Sequence, residues 1–292
     1  MRKGNGWWRS VLVAALVLVL LAFAAACGGD DDENGEAEGG GAATTETQEG
    51  GDNPYNLDTP GTLVVGMNLQ YKPQMYLENG EPAGYDVDLL NALAEELDVE
   101  LQIENLDFNG LIPGLVSKQF DMVSVGLAAT EERKQSVDFT RGYVPYAQIL
   151  AARADDDTPA TMEAWNDASK TITSLQGATA EMRVEESFPN ATSKSFPDQN
   201  AAFLEVSTGR ADGIVVENYL LAQFNKTNDD ALKEVEFDEP LHVEYGSWAV
   251  QKGNSALVER LDEFLCEMQE SGELAELYEN AHETEMPPMP EC

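Results

Sequence analysis

Residues 120–146 read FDMVSVGLAATEERKQSVDFTRGYVPY, and this stretch decides the fold. Met122 to Leu127 is a short apolar run of the length expected for a buried strand. Two alanines follow, then Thr130, a good helix N-cap, with Glu131 and Glu132 in the first turn, where the helix dipole favours acids. Arg133 breaks that pattern. A cation is mildly disfavoured in a first turn, so this arginine either reaches water or has an anion to meet. Val137 and Phe139 return to extended chain, and the segment GYVP (142–145) predicts a bend. Strand, loop, helix start carrying an arginine, then crossover: that order describes a binding cleft beside a hinge.

Working outward, the same rhythm of strand and helix continues on both sides. Upstream, GTLVVGMN (61–68) reads as a first strand, and LQYKPQMYLENGEPAG (69–84) as a loop with a turn at Asn79-Gly80. Tyr85 to Leu97 is an amphipathic helix with Leu90, Leu93, Ala94 and Leu97 on one face, and Glu100 to Ile103 a second strand. Asn109 is the expected cap of a short helix that tolerates Pro113 in its first turn. Downstream, the expected strands are TITSL (171–175), ATSKSF (191–196), ADGIVVEN (211–218) and VEYGSWAVQK (243–252). Helices are expected at 161–168, after Gly177, over 200–208 and 219–224, and over 255–270 and 273–282. Strands alternating with helices predict a parallel sheet and the α/β class.

The two ends set an address. The first 26 residues begin with Arg2, Lys3 and Arg9 and continue as an apolar run to Ala26, the pattern of a secretory leader. That run is short for a membrane-spanning helix. Residues 27–56 are rich in Gly, Asp, Glu, Ala and Thr and contain no Lys or Arg, a composition that predicts a disordered acidic tether. Nothing later is apolar enough to span a bilayer. The formal net charge is −37, which argues against nucleic acid or anionic lipid as a partner and favours a soluble monomer.

The chemistry-bearing motifs are few. His242 and His282 are isolated from each other and from the cysteines, so the spacing shows no metal site. No nucleophile elbow, P-loop or dinucleotide fingerprint occurs, and no cofactor or catalytic residue is expected. The GATAE segment (177–181) offers backbone N–H groups at a helix start, although an ordinary turn is the better reading of it.

Six segments together resemble one family. They are LVVGMNLQYKP (63–73), GYDVDLLNALAEEL (84–97), DFNGLIPGL (107–115), FDMVSVGLAATEERKQSVDFT (120–140), GRADGIVVEN (209–218) and YGSWAVQKG (245–253). In order and spacing they look like the extracellular solute-binding proteins of amino-acid ABC importers, of the glutamine- and basic-amino-acid-binding type. The resemblance implies a type II periplasmic-binding-protein fold: two α/β lobes, joined by two hinge strands, closing on a ligand. Lobe 1 would comprise residues 57–143 and 248–292, and lobe 2 residues 144–247. Likewise LAFAAAC (21–27) resembles a bacterial lipobox, with Cys27 as the lipidated first residue of an outward-facing, membrane-anchored protein. Cys266 and Cys292 then remain as an even pair in an oxidising compartment, expected to form a disulfide; the other arrangement is a buried free thiol and a frayed end.

The resemblance also implies roles. Arg133 falls where the family's arginine grips the ligand α-carboxylate, and Glu217 where an aspartate usually meets the α-ammonium. Tyr71 and Phe108 match the aromatic walls, Gly126 a backbone contact, and Thr179 the second-lobe loop. Besides Glu217 for aspartate, four departures concern specificity: Ala128 stands where Ser or Thr is usual, Asn68 replaces an acid, and Leu175 and Val216 replace a Lys and a His. The expected ligand is a zwitterionic amino acid with a neutral side chain, delivered to a membrane permease. A lyase of the same fold and a ligand-sensing protein are the alternatives.

Overall fold

The computed structural model describes residues 53–292. Cys27, the leader and nearly all of the tether lie outside the described residues. Ordered chain begins earlier than Leu57: the Asn53 side chain brackets the Leu57 backbone, and Asn254 Nδ2 donates to the Tyr55 carbonyl at 2.9 Å. Tyr55 and Leu57 join the apolar core, a reward that the polar composition before them conceals.

The first half runs β1 (Thr62–Met67), β2 (Gln70–Tyr71), β3 (Met75–Glu78), β4 (Glu81–Ala83), α1 (Tyr85–Leu97), β5 (Glu100–Asn105), α2 (Phe108–Val116) and β6 (Met122–Leu127). Strands β5, β1 and β6 are parallel neighbours, with the first strand in the centre. Helix α1 buries Leu89, Leu90, Leu93 and Leu97 against this sheet and stops at Asp98, whose left-handed backbone returns its N–H to Ala94 and Glu95. The expected loop at 69–84 is instead a small antiparallel sheet of β2, β3 and β4, turned at Asn79-Gly80 with both residues at positive φ. Helix α2 starts at Phe108 with Asp107 in the cap position, so Asn109 lies inside the helix and Pro113 beyond its first turn.

After β6 the expected helix is only a single 3-10 turn, Arg133–Gln135, with Thr130 Oγ1 accepting from the Arg133 N–H at 3.3 Å. The chain then enters β7 (Val137–Arg153), and the bend expected at 142–145 is absent. Gly142 and Pro145 are absorbed by irregular pairing with β12 (His242–Gln251): Gly246 faces Val144 while Ser247 faces Gly142, so Tyr143 is the extra residue of a bulge.

The second half adds α3 (Met162–Trp165), β8 (Thr171–Leu175), α4 (Thr179–Ser187), β9 (Thr192–Phe196), α5 (Gln199–Ser207), β10 (Gly213–Glu217), α6 (Asn218–Thr227) and a short unexpected strand, β11 (Leu232–Glu234). Here β9, β8 and β10 are parallel, again with the first strand in the centre. Antiparallel β7 and β12 lie between the two parallel groups, giving the order β5-β1-β6-β12-β7-β10-β8-β9. After β12, α7 (Ser255–Ser271) ends at Gly272, with φ 88°, and α8 (Glu273–His282) packs back on α1. Cys266 on α7 and Cys292 are joined as a disulfide with their Cα atoms 5.7 Å apart, and the Arg141 guanidinium lies against both sulfurs. No described helix is long and apolar enough to cross a membrane.

Candidate binding cleft between the two parallel groups

A cleft opens where the carboxyl ends of β6, β8 and β10 meet the amino ends of α2, α4, α5 and α6. In open α/β sheets ligands bind in this position, because the loops and helix starts there present unsatisfied backbone groups. Its lining includes seven of the residues expected from sequence: Tyr71, Phe108, Gly126, Ala128, Arg133, Thr179 and Glu217.

Asn68 is the exception. It is buried beside the cleft, where its Nδ2 donates to the Leu106 carbonyl at 2.5 Å and its Oδ1 accepts from Gln70. Both ends of the carboxamide are thus spent on tying the end of β1 to the turn before α2. It supports the wall that carries Phe108 rather than facing a ligand.

Arg133 spans the cleft. Its Nη1 donates to the Ala128 carbonyl at 3.0 Å, and its Nη2 donates to the Gly177 carbonyl at 2.9 Å in the opposite half. The Phe108 ring lies 5.8 Å from the guanidinium carbon, within cation–π reach. Burial lowers the guanidinium from its ordinary value, while Tyr146, Glu244 and Glu132 act the other way. Asn109 approaches Gly177 so closely that a β-carbon there would sit 2.4 Å from Asn109 Oδ1, and Gly177 has φ +75°. The Gly177 N–H is already taken by Glu181 at 2.7 Å, so this helix start is satisfied from within.

Glu217 ends β10 across the cleft. Burial raises its carboxyl, with Glu244 adding to the rise, while Gln148 opposes it. Gln148 faces Glu217 directly in the β7–β10 register, and its Nε2 donates to Thr179 Oγ1 at 2.8 Å. One buried amide therefore positions residues from two elements of the wall. Gly126 has φ +60°, its carbonyl accepts from Tyr146 Oη at 3.2 Å, and its N–H donates to Tyr143 Oη at 2.8 Å. Tyr143, turned inward by the bulge, in turn donates a hydrogen bond from its hydroxyl to buried Asp86 at 2.5 Å.

Lining residues that sequence reasoning did not single out for the site are Val125, Leu127, Tyr146, Ala178, Gln199, Tyr219 and Leu220. Leu175, expected only as a neutral replacement, lines it too. Tyr146 directly follows the segment 142–145 expected to bend, whereas Gln199 and Leu220 sit in helix starts with no composition signal of their own. No group of acids, histidines and cysteines suited to a metal exists among the described residues. Arg133 and Glu217, a cation and an anion, line one cleft together with the rings of Tyr71 and Phe108, a set of groups suited to a small zwitterion.

Residues 63–283 match the model of the bacterial extracellular solute-binding proteins, family 3. The arginine-binding extracellular protein ArtP of Bacillus subtilis (strain 168) is 30% identical over 217 residues, covering 74% of this chain and 84% of that protein. Among solved structures, the substrate-binding protein of an amino acid ABC transporter is 34% identical with a TM-score of 0.70, over 77% of this chain and all of that one. The ancestral amino acid-binding protein AncCDT-1, a precursor of cyclohexadienyl dehydratase, is 32% identical with a TM-score of 0.70, over 76% and 96%. With its two parallel groups on either side of antiparallel β7 and β12, the chain belongs to the bacterial extracellular solute-binding proteins, family 3.

Proposed function

We propose that this protein is the binding component of an amino-acid ABC importer, working outside the cytoplasm and handing its ligand to a membrane permease. The observation that carries this reading is the pairing of Arg133 and Glu217 across one cleft lined by Tyr71 and Phe108. Arg133 would take the α-carboxylate through two parallel hydrogen bonds, exchanging its carbonyl partners for a charged one. Glu217 would take the α-ammonium, which favours the carboxylate that burial disfavours. Gly126 and Thr179 complete the frame around the α-carbon.

The mechanism is closure. Residues 57–143 with 248–292 form one lobe, residues 144–247 the other, and β7 and β12 serve as hinges. A ligand that contacts both lobes favours the closed state by its differential affinity. Arg133, bonded to Ala128 in one lobe and Gly177 in the other, is placed to sense that closure. A neutral side chain is favoured because Arg133 and Glu217 are the only charged residues lining the cleft among the described residues. The named arginine specificity of one relative favours a second reading, in which Tyr71 and Phe108 hold a cationic side chain by their faces. Turnover is not part of either reading, and bound ligand should be recovered unchanged by mass spectrometry.

Cys27 supplies the anchor in this reading, which tethers the binding protein near its permease. A thermal-shift screen against the amino acids tests the whole proposal. Ligand at about 100 times Kd should stabilise by roughly 2.7 kcal/mol and raise Tm by about 5–10 °C. Arg133→Ala should abolish the rise; a variant that binds as the wild type does would refute the site.

A further inference from the structure

Buried polar side chains normally find partners, so those that do not are informative about what is missing. Two of them line this cleft: Tyr71 Oη and Gln199 Nε2 have no partner, and each residue is only 5% exposed. Tyr71 comes from the small sheet of the first half, and Gln199 opens α5 in the second. Neither is occupied by the proposed carboxylate and ammonium contacts, which belong to Arg133 and Glu217. Phe108 and Leu220 line the same cleft, and on its outer side Gln199 borders a second pocket with Gln70 and Lys72.

The charges nearby argue about the missing group. Burial, then Glu217, Asp198 and Asp107, hold the Tyr71 phenol protonated, while the Gln70 side chain beside it acts weakly the other way without meeting hydrogen-bond geometry. Asp198 is exposed and caps α5 through its bond from the Ala201 N–H at 2.8 Å, and Asp107 is exposed. An anionic side chain would meet these acids without a cation. A cationic one would find no buried carboxylate beyond Glu217, already assigned to the α-ammonium.

Building on the amino-acid reading above, we propose that the Tyr71 hydroxyl and the Gln199 carboxamide form the side-chain subsite. It takes a neutral side chain ending in a group that both donates and accepts, such as a carboxamide. A site built to hydrogen-bond such a group discriminates strongly against an analogue lacking it, because its own polar atoms are then left unpaired.

Calorimetric titration of the purified protein with glutamine, methionine, glutamate and arginine tests this. Glutamine should bind at least about tenfold more tightly than methionine, which has similar length and no amide. Tyr71→Phe and Gln199→Leu should each weaken glutamine more than methionine, narrowing that ratio. Tyr71→Phe keeps the ring, and unliganded Tm values of both variants establish that they fold. Methionine, arginine or glutamate binding most tightly would overturn the subsite, as would a glutamine-to-methionine ratio untouched by both variants. Arg133→Ala separates the two levels. If it loses every ligand while the ratio is indifferent to Tyr71 and Gln199, only the subsite fails; if it binds all four as the wild type does, the underlying reading fails.

Discussion

Asp86 is fully buried at the start of α1, and burial raises its carboxyl to about 6 from an ordinary 3.8. Hydrogen bonds from Ser124, Tyr143 and Gln74 act against that rise. Gln74 also meets His282 Nε2 at 2.9 Å, and burial lowers this imidazole to about 4 from 6.5. The remaining titratable neighbours, Tyr85, Tyr143, Tyr219 and Tyr278, are phenols pushed upward by burial and stay neutral. The signs of the two shifts differ. The native state holds a proton on Asp86 that the unfolded chain releases, so that stability is complete below pH 3.8 and lost as pH rises through about 6. At His282 the native state refuses a proton that the unfolded chain accepts, so stability is complete above pH 6.5 and lost as pH falls towards 4. The two slopes oppose each other between about pH 4 and 6. Asp86→Asn removes one of them. Urea denaturation from pH 4 to 7 should show the variant gaining on the wild type by about 3 kcal/mol across that range. Parallel stability curves would contradict the burial argument.

Elements explain what a linear reading could and could not recover. The parallel strands and their helices were legible because alternation of pattern is local, as in Tyr85–Leu97 or Met122–Leu127. Arg133 was legible because a cation stood where a helix start prefers acids. The strands β2, β3 and β4, of two to four residues, are too short to display a period. Gly142 and Pro145 interrupt the strand pattern of β7, and only the register with β12 shows a bulge beside Gly142 and Pro145 paired with Tyr245. Gln199 and Tyr219 enter the cleft through strand order alone, which no local pattern encodes. The close approach of β12 to β6 is likewise invisible in sequence, and it bears on the site. A β-carbon on Gly246 would lie 2.6–2.7 Å from the backbone of Gly126, which lines the cleft. Backbone cannot move aside as a flexible side chain can, so Gly246→Ala should cost about 1–3 kcal/mol and weaken ligand binding as Gly126 is displaced. Gly253→Ala is the control: nothing lies within 4 Å of its β-carbon position, so only its φ of +88° costs stability and affinity should stay intact. Unchanged affinity in Gly246→Ala would show that the Gly126 backbone is not part of the site.

At the scale of the whole molecule, the acidic surface constrains how the protein stays at a membrane. The whole chain carries a formal charge of −37, which repels anionic lipid headgroups and disfavours an electrostatic route to the bilayer. No described helix can cross it either. In the proposed function, membrane retention comes from acylation of Cys27. Two or more acyl chains give stable anchoring, where a single chain gives only marginal binding. Cys27→Ser should then shift the protein from the membrane fraction to the soluble or secreted fraction, or leave it unprocessed with its leader attached. The ligand-induced rise in Tm should survive in the released form, because Cys27 is remote in sequence from every residue of the cleft. High salt should not release the wild type, since screening does not weaken an acyl anchor. Normal processing together with undiminished membrane retention in Cys27→Ser would rule out the lipid anchor while leaving the binding cleft untouched.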